Sequence, residues 1–513
     1  MLITIDGLRG DLLERYDAQF TGGFRRLLDD GVRYPNAVVD HGITVSHAGH
    51  VSIATGRAPR RHGIVDAAYY TQADRGGRRL TDAVHDTTER ILGVPGAPGA
   101  SPRQILTDGL ADWIVRADSG ARAVSIGSGA YSSLLHLFHA PADVFWYDRG
   151  AGRFVTSSYY ASAYPDWVER FNAERLPELI EAALVWDLDV PGADRHLARP
   201  DASPHEADGR YTTFPHRFED EMTAERRSDP AAAALWFGWT PLLDGATLEL
   251  AAEAVRARAL GRRGTTDYLA LVLSQIDSDT HYYGPLSLEV LDALVKLDRW
   301  LGEFLEVLNA EVGAGNYVVA LTADHGMPNI PEIERSQGRP GRRLTEAAID
   351  SVLAAVARVS AAYAPGSLAE SRAVAERLRG YGFVADTYVP SQLEGADDTA
   401  EPFLSLYRHS YRSDRVPRLP LFSFSTGESS IAAAGVMVRL TEGTVIDLDP
   451  SVHGSPYAYD RHVPLIFLVP HLPGRSAYDT ARVVDVAPTL AALAGITTPT
   501  DLDGTALLGR PAR

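Results

Sequence analysis

The chain has 513 residues, 49 Lys+Arg against 67 Asp+Glu for a formal charge of -18, and no cysteine. With 45% hydrophobic and 23% charged residues it is excluded from the disordered and collagen-like classes, and its length suits about three domains or one large domain with insertions. The acidic balance disfavours nucleic-acid polymers and anionic membranes, and the absent thiols exclude disulfides, a cysteine nucleophile and iron–sulfur clusters, so any metal must use His, Asp and Glu.

The opening Met1-Leu-Ile-Thr-Ile-Asp6-Gly7 reads as a strand without the basic and apolar regions of a secretory signal. The compartment stays open: cytoplasmic, or periplasmic or secreted if a leader has been removed. No apolar run of roughly 18 residues occurs, so no transmembrane helix is predicted. Short apolar runs at Leu2–Ile5, Ala123–Ile126, Tyr268–Leu273, Tyr317–Leu321 and Val463–Val469 predict buried parallel strands. Leucines and valines spaced three and four apart predict a helix from Leu286 to about Ala310, and shorter patterns predict helices over Phe24–Leu28, Gln104–Val115 and Ala487–Leu493. The fold class expected is α/β, a three-layer sandwich around a mostly parallel central sheet.

Two stretches interrupt this alternation and are expected to form caps. The core would then be 1–152, 259–326 and 436–513, with an aromatic-rich insertion at 153–258 and a second insertion at 327–435. The first shows no clear strand and helix alternation. The second carries helical patterns at Thr345–Tyr363 and Ser367–Leu378 and an acidic loop at Gly395–Glu401.

Chemistry concentrates where strands end, the place where open α/β sheets bind ligands. Asp6 closes the first strand. Asp277-Ser-Asp-Thr-His281 follows the third and reads as a tight turn offering a carboxylate and an imidazole to one metal. Asp324-His325-Gly326 follows the fourth, and His453-Gly-Ser-Pro-Tyr precedes the last. Each alone reads as a cap, turn or core residue. Three carboxylates and three imidazoles on separate ends of one sheet are what two zinc-like ions require. A hydroxyl at Ser46, in Thr44-Val-Ser46-His-Ala-Gly49-His50, leads into a further helix whose amides would lie near it.

The order Asp6, Ser46-x-x-Gly49-His50, Thr55-Gly56, His62-Gly63-Ile64, Asp277-x-x-x-His281, Ala323-Asp324-His325-Gly326, His453-Gly-Ser-Pro-Tyr and Asp460-x-His462-Val-Pro resembles the alkaline phosphatase superfamily. Within it the nearest branch holds the Thr-nucleophile bacterial alkaline phosphatases and the nucleotide pyrophosphatase/phosphodiesterases. The resemblance implies two divalent metal ions, Zn2+ first and Mn2+ as the alternative. One would be held by Asp277, His281 and His453, the other by Asp6, Asp324, His325 and the Ser46 oxygen. It also implies a small-molecule phosphoester substrate, with Ser46 at the place of the family's Thr nucleophile.

Two departures bear on the substrate. The family's phosphate-binding Asn falls on Val65-Asp66-Ala67-Ala68, which offers no amide side chain, and no Lys or Arg occurs from Ser125 to Val144, where the phosphatases carry a Lys-x-Arg pair. A monoester dianion loses more from that absence than a diester. The expectation is therefore a phosphoric ester hydrolase with a phosphoseryl intermediate and a preference for diesters. The alternatives are an alkaline phosphatase-type monoesterase and a non-catalytic metal-binding homologue. His136, His139 and Arg217 are the residues expected to replace the missing cations if any do.

Overall fold

The computed structural model describes residues 1–72, 78–207, 209–396, 400–418, 434–446 and 449–509; the acidic loop expected at Gly395–Glu401 lies partly outside them. Among these residues the main sheet has nine strands: β1 Leu2–Ile5, β2 Val32–Arg33, β3 Ala123–Gly127, β4 Asp143–Asp148, β5 Arg153–Val155, β6 Tyr268–Leu273, β7 Val319–Thr322, β8 Leu465–Leu468 and β9 Arg475–Ser476. Their spatial order is β9-β2-β8-β7-β1-β6-β3-β4-β5. The apolar runs of β1, β6 and β7 are buried at every position, as a strand covered on both faces demands. The neighbours β7, β1, β6, β3 and β4 run parallel.

Strand β8 departs from the parallel expectation, because it lies antiparallel to β7 with Leu465 opposite Thr322. A continuous apolar run reports burial on both faces and carries no information about direction. The stretch from Arg153 to Arg258 is also more regular than its sequence suggested. Its first residues form the antiparallel edge strand β5, and its last ones a 16-residue helix, Leu242–Ala257.

The sheet is covered by α1 Gly23–Asp30, α2 Ser46–Thr55, α3 Leu110–Ala117, α4 Leu242–Ala257, α5 Gln275–Tyr283, α6 Leu288–Glu311 and α7 Val486–Ala494. Helices α1, α4 and α6 pack together, and α2, α3 and α7 form a second group. The helix expected from Gln104 starts only at Leu110, because the backbone N–H of Gly109 donates to Asp112 and fixes the start there. Among the described residues no helix is long and apolar enough to cross a membrane.

Helix α6 organises more than its apolar face. Ser287 caps it by accepting from the Val290 amide at 3.2 Å. Its buried Asp298 accepts the backbone N–H groups of Thr21, Gly22 and Phe24, each at 2.7 Å, which gives α1 an N-terminal cap from a residue distant in sequence. Replacement Asp298→Asn removes the charge and one acceptor. It is expected to lower unfolding free energy by about 2 kcal/mol, read as a lower denaturation midpoint at unchanged kcat.

A separate apolar cluster, with Val352, Val356, Val374, Leu378, Tyr388, Tyr407 and Val438 at its centre, lies under Glu346–Ser360 and Leu368–Arg379. Thr345 and Ser367, read from sequence as helix starts, are the N-caps of these two helices. The Gly42 amide donates to the Leu406 carbonyl and to Ser410 Oγ, which sets the helix Pro402–Ser410 against the segment leading into Ser46.

Candidate metal centre and nucleophile

Because β7, β1 and β6 are adjacent and parallel, their carboxyl ends deliver Asp324 and His325, Asp6, and Asp277 and His281 to one edge of the sheet. The tight turn expected at Asp277–His281 is instead helix α5, where residues four apart share a face. That spacing brings His281 Nε2 to 3.5 Å from Asp277 Oδ1. Gly7 makes the close approach possible: at φ +71 it passes Asp277 so tightly that a Cβ would stand 2.8 Å from its backbone.

The fourth contributor is the loop before β8. His453 Nε2 lies 3.9 Å from Asp277 Oδ1, so Asp277, His281 and His453 form one group of converging donors. Buried Asp460 orders this loop by accepting from the Gly454 and Ser455 amides and from Ser455 Oγ at 2.6 Å. His453 also stacks on His325, with ring centroids 3.5 Å apart.

A second group gathers on Asp6. His325 Nε2 is 3.4 Å from Asp6 Oδ1 and 3.5 Å from Asp324 Oδ2, and Ser46 Oγ is 3.1 Å from His325 Nε2. Ser46 is the first residue of α2, which sits against the Asp324 loop. A Cβ on Gly49 would lie 2.5 Å from the Asp324 carbonyl oxygen, so only glycine allows that contact.

The histidines are held in one sense. The Nδ1–H of His281, His325 and His453 donates to the carbonyl oxygens of Ser451, Gly326 and Thr44 at 2.8, 2.9 and 2.7 Å, which turns each Nε2 toward the carboxylates. Asp6 Oδ1, Asp277 Oδ1 and Asp324 Oδ2 are buried without a hydrogen-bond partner among the described residues. Orphaned carboxylate oxygens facing oriented imidazoles fit cations, because a metal would give each of these oxygens the partner it lacks.

The electrostatics agree. Burial pushes His325 down, yet Asp324, Asp6 and Asp277 outweigh it and hold its imidazole up at about 10. Burial and the neighbouring Asp6 raise Asp324 to about 7. Burial also raises Asp277, whereas His325 and His50 hold Asp6 well below the usual carboxylate range against its own burial.

The model for type I phosphodiesterase/nucleotide pyrophosphatase matches residues 1–381. The chain belongs to this family. It is 27% identical over 510 residues to the alkaline phosphatase PhoV of Synechococcus elongatus, covering 97% of this chain and 90% of that protein. It is also 27% identical over 541 residues to the alkaline phosphatase PafA of Elizabethkingia meningoseptica, covering 99% and 94%. The fold overlays a crystal structure of a PafA variant with TM-score 0.85 and 25% identity, covering 99% and 97% of the two chains. That variant has a threonine changed to serine, and an asparagine, a lysine and an arginine changed to alanine. The chain is thus a phosphoester hydrolase of the alkaline phosphatase superfamily.

Within this family member, His50 enters the centre without having been singled out as a donor. Its Nε2 is 3.5 Å from both Asp6 Oδ2 and Asp324 Oδ2, and neither ring nitrogen has a hydrogen-bond partner among the described residues. The signal was present in the sequence: His50 stands four residues after Ser46, on the same helical face. Of the other expected cations only His136 meets the centre, its ring 5.1 Å from that of His50 with burial lowering its pKa to about 3. His136 is buried, with Nε2 3.1 Å from Thr4 Oγ1 and Nδ1 3.0 Å from the Ser132 carbonyl, while His139 and Arg217 are exposed.

Proposed function

We propose that this hydrolase uses two metal ions and a phosphoseryl intermediate on Ser46, and that it prefers phosphodiesters to monoesters. The observation that carries the preference is the short helix Ala130–Leu134 after β3. There Tyr131, and no lysine or arginine, stands beside the carboxylates, with its hydroxyl 3.2 Å from Asp6 Oδ2. Asp277, His281 and His453 would hold one divalent ion, and Asp6, Asp324, His325 and the Ser46 oxygen the other; such ions would supply Lewis acidity to the reaction. Zinc suits this nitrogen and oxygen donor set, with manganese as the alternative.

The chain's own residues supply the rest. Ser46 Oγ attacks phosphorus in line, so that the new Oγ–P bond forms as the bond to the leaving alkoxide breaks. The first amides of α2 have no acceptor within the helix and are available to an equatorial phosphoryl oxygen, in place of the side-chain amide missing from 65–68. Attack by water on the phosphoserine then frees Ser46.

A monoester dianion carries one more negative charge than a diester, and Tyr131 offers that charge only a neutral hydroxyl. The second reading is a monoesterase, which the names of the relatives at 27% identity favour. Kinetics on p-nitrophenyl esters at about pH 8 decide between them. The diester is expected to show the higher kcat/KM, and Tyr131→Arg to shift the ratio toward the monoester by about ten- to a hundredfold, the worth of one charge-assisted hydrogen bond. A wild-type enzyme that favours the monoester tenfold or more overturns the diester preference and leaves the phosphatase reading.

A further inference from the structure

Arg149 stands just beyond Trp146-Tyr147-Asp148 in the sequence, outside the stretch Ser125 to Val144 where the related phosphatases carry their Lys-x-Arg pair. In the fold it follows β4 and arrives at the rim of the metal centre. Its guanidinium carbon lies 3.6 Å from the centroid of the Trp239 ring, and its Nε donates to the Gly238 carbonyl at 2.8 Å. Such stacking fixes a guanidinium in one plane and leaves its outer amino groups free to form a fork. The contacts that hold Arg149 are to the Trp239 ring and the Gly238 carbonyl, and no carboxylate is among them, in a chain whose acids outnumber its bases.

Burial lowers the Arg149 pKa, and Tyr131, Tyr282, Tyr147 and Asp277 act on it in the opposite sense. Tyr282 directly follows His281, and its ring meets Trp239 edge-on with centroids 5.9 Å apart. Trp239 and Tyr282 are 42% and 41% exposed whereas Asp6 is wholly buried, so the ring pair that holds Arg149 is open to solvent while the carboxylates are not. Tyr131 donates its hydroxyl to Asp6 Oδ2 at 3.2 Å.

We propose that Arg149, held flat on Trp239 beside Tyr282, is a specificity-determining residue that binds an anionic group carried by the organic part of the substrate. The inference rests on the diesterase reading and names its substrate class: diesters in which one alcohol bears a carboxylate or a phosphate-like group. In this reading the guanidinium meets the organic part of the substrate and not the reacting phosphoryl. The aromatic walls accept the body of the alcohol, and the two outer amino groups match the geometry of a carboxylate or phosphonate oxygen pair.

The test uses the metal-loaded full chain and p-nitrophenyl diesters whose second alcohol is phenol, 4-carboxyphenol or 4-phosphonophenol. At least one anionic diester is expected to exceed the phenyl diester in kcat/KM by about tenfold or more through a lower KM, as one charge-assisted contact provides. Which anionic arm gains distinguishes carboxylate from phosphate-like recognition. Arg149→Ala should bring the anionic-to-neutral ratio near one, and Arg149→Lys should leave it between. A wild-type ratio near one for both arms, or a preference that survives Arg149→Ala, overturns the proposal. Should the alanine variant not fold, Arg149→Lys and Trp239→Leu read the same ratio. The phenyl diester against the monoester tests the diesterase reading separately, so either can fail alone.

Discussion

Ser46→Ala is expected to reduce steady-state hydrolysis of every phosphoester by roughly four orders of magnitude or more, while metal content stays near the wild-type value. The size follows from the role: a nucleophile that acts as a unit with its activating groups cannot be lost in part, and removal of such a hydroxyl elsewhere costs losses of this order or greater. The retained metal follows from the fold, because Asp6, Asp277, His281, Asp324, His325 and His453 come from other segments. Acid quench during turnover, followed by mass spectrometry of the Ser46 peptide, should find phosphoserine in the wild type and none in the variant. A variant with near-wild-type rate would mean direct attack by water and would remove the covalent route.

The second large effect concerns the ligands. His281→Ala or His453→Ala is expected to lower occupancy of one site, and Asp324→Asn or His325→Ala that of the other. The affinity loss should exceed the roughly ten- to hundredfold seen when only a supporting hydrogen-bond partner of a ligand is removed, and hydrolysis should fall with it. Metal content that stays at two ions per chain in all four variants would sink the assignment.

The pH dependence has a definite sign. His325 is held up at about 10 and Asp324 at about 7, so both carry protons at low pH, and a cation must displace those protons to bind. Apparent affinity is therefore expected to rise from pH 6 to pH 9, with proton release visible as buffer-dependent heats in titration calorimetry. An affinity that is flat across this range would place the metal on other residues.

Much of this protein was determined by its sequence alone. Continuous apolar runs at Leu2–Ile5 and Tyr268–Leu273 could satisfy burial only as interior strands, and the spacing of leucines after Ser287 could form only an amphipathic helix, since both are local consequences of side-chain period. The candidate donors were legible only as a set: each carboxylate or imidazole after a buried strand reads alone as a cap, turn or core residue, and it is their recurrence at several ends of one sheet that points to cations. Strand direction was not legible, because burial of both faces of Leu465–Leu468 is the same in either orientation and only its partner Val319–Thr322 fixed it.

The tertiary structure also decided which polar groups meet. His50 joined Asp6 and Asp324 because Gly49 lets α2 press on the Asp324 loop, a contact between segments far apart in the chain. Arg149 became a rim residue only because the stretch after β5 folds back to set Gly238 and Trp239 under its guanidinium. Period and composition report what a segment does to its own neighbours; a contact across the chain depends on the packing of whole layers, and no local pattern encodes it.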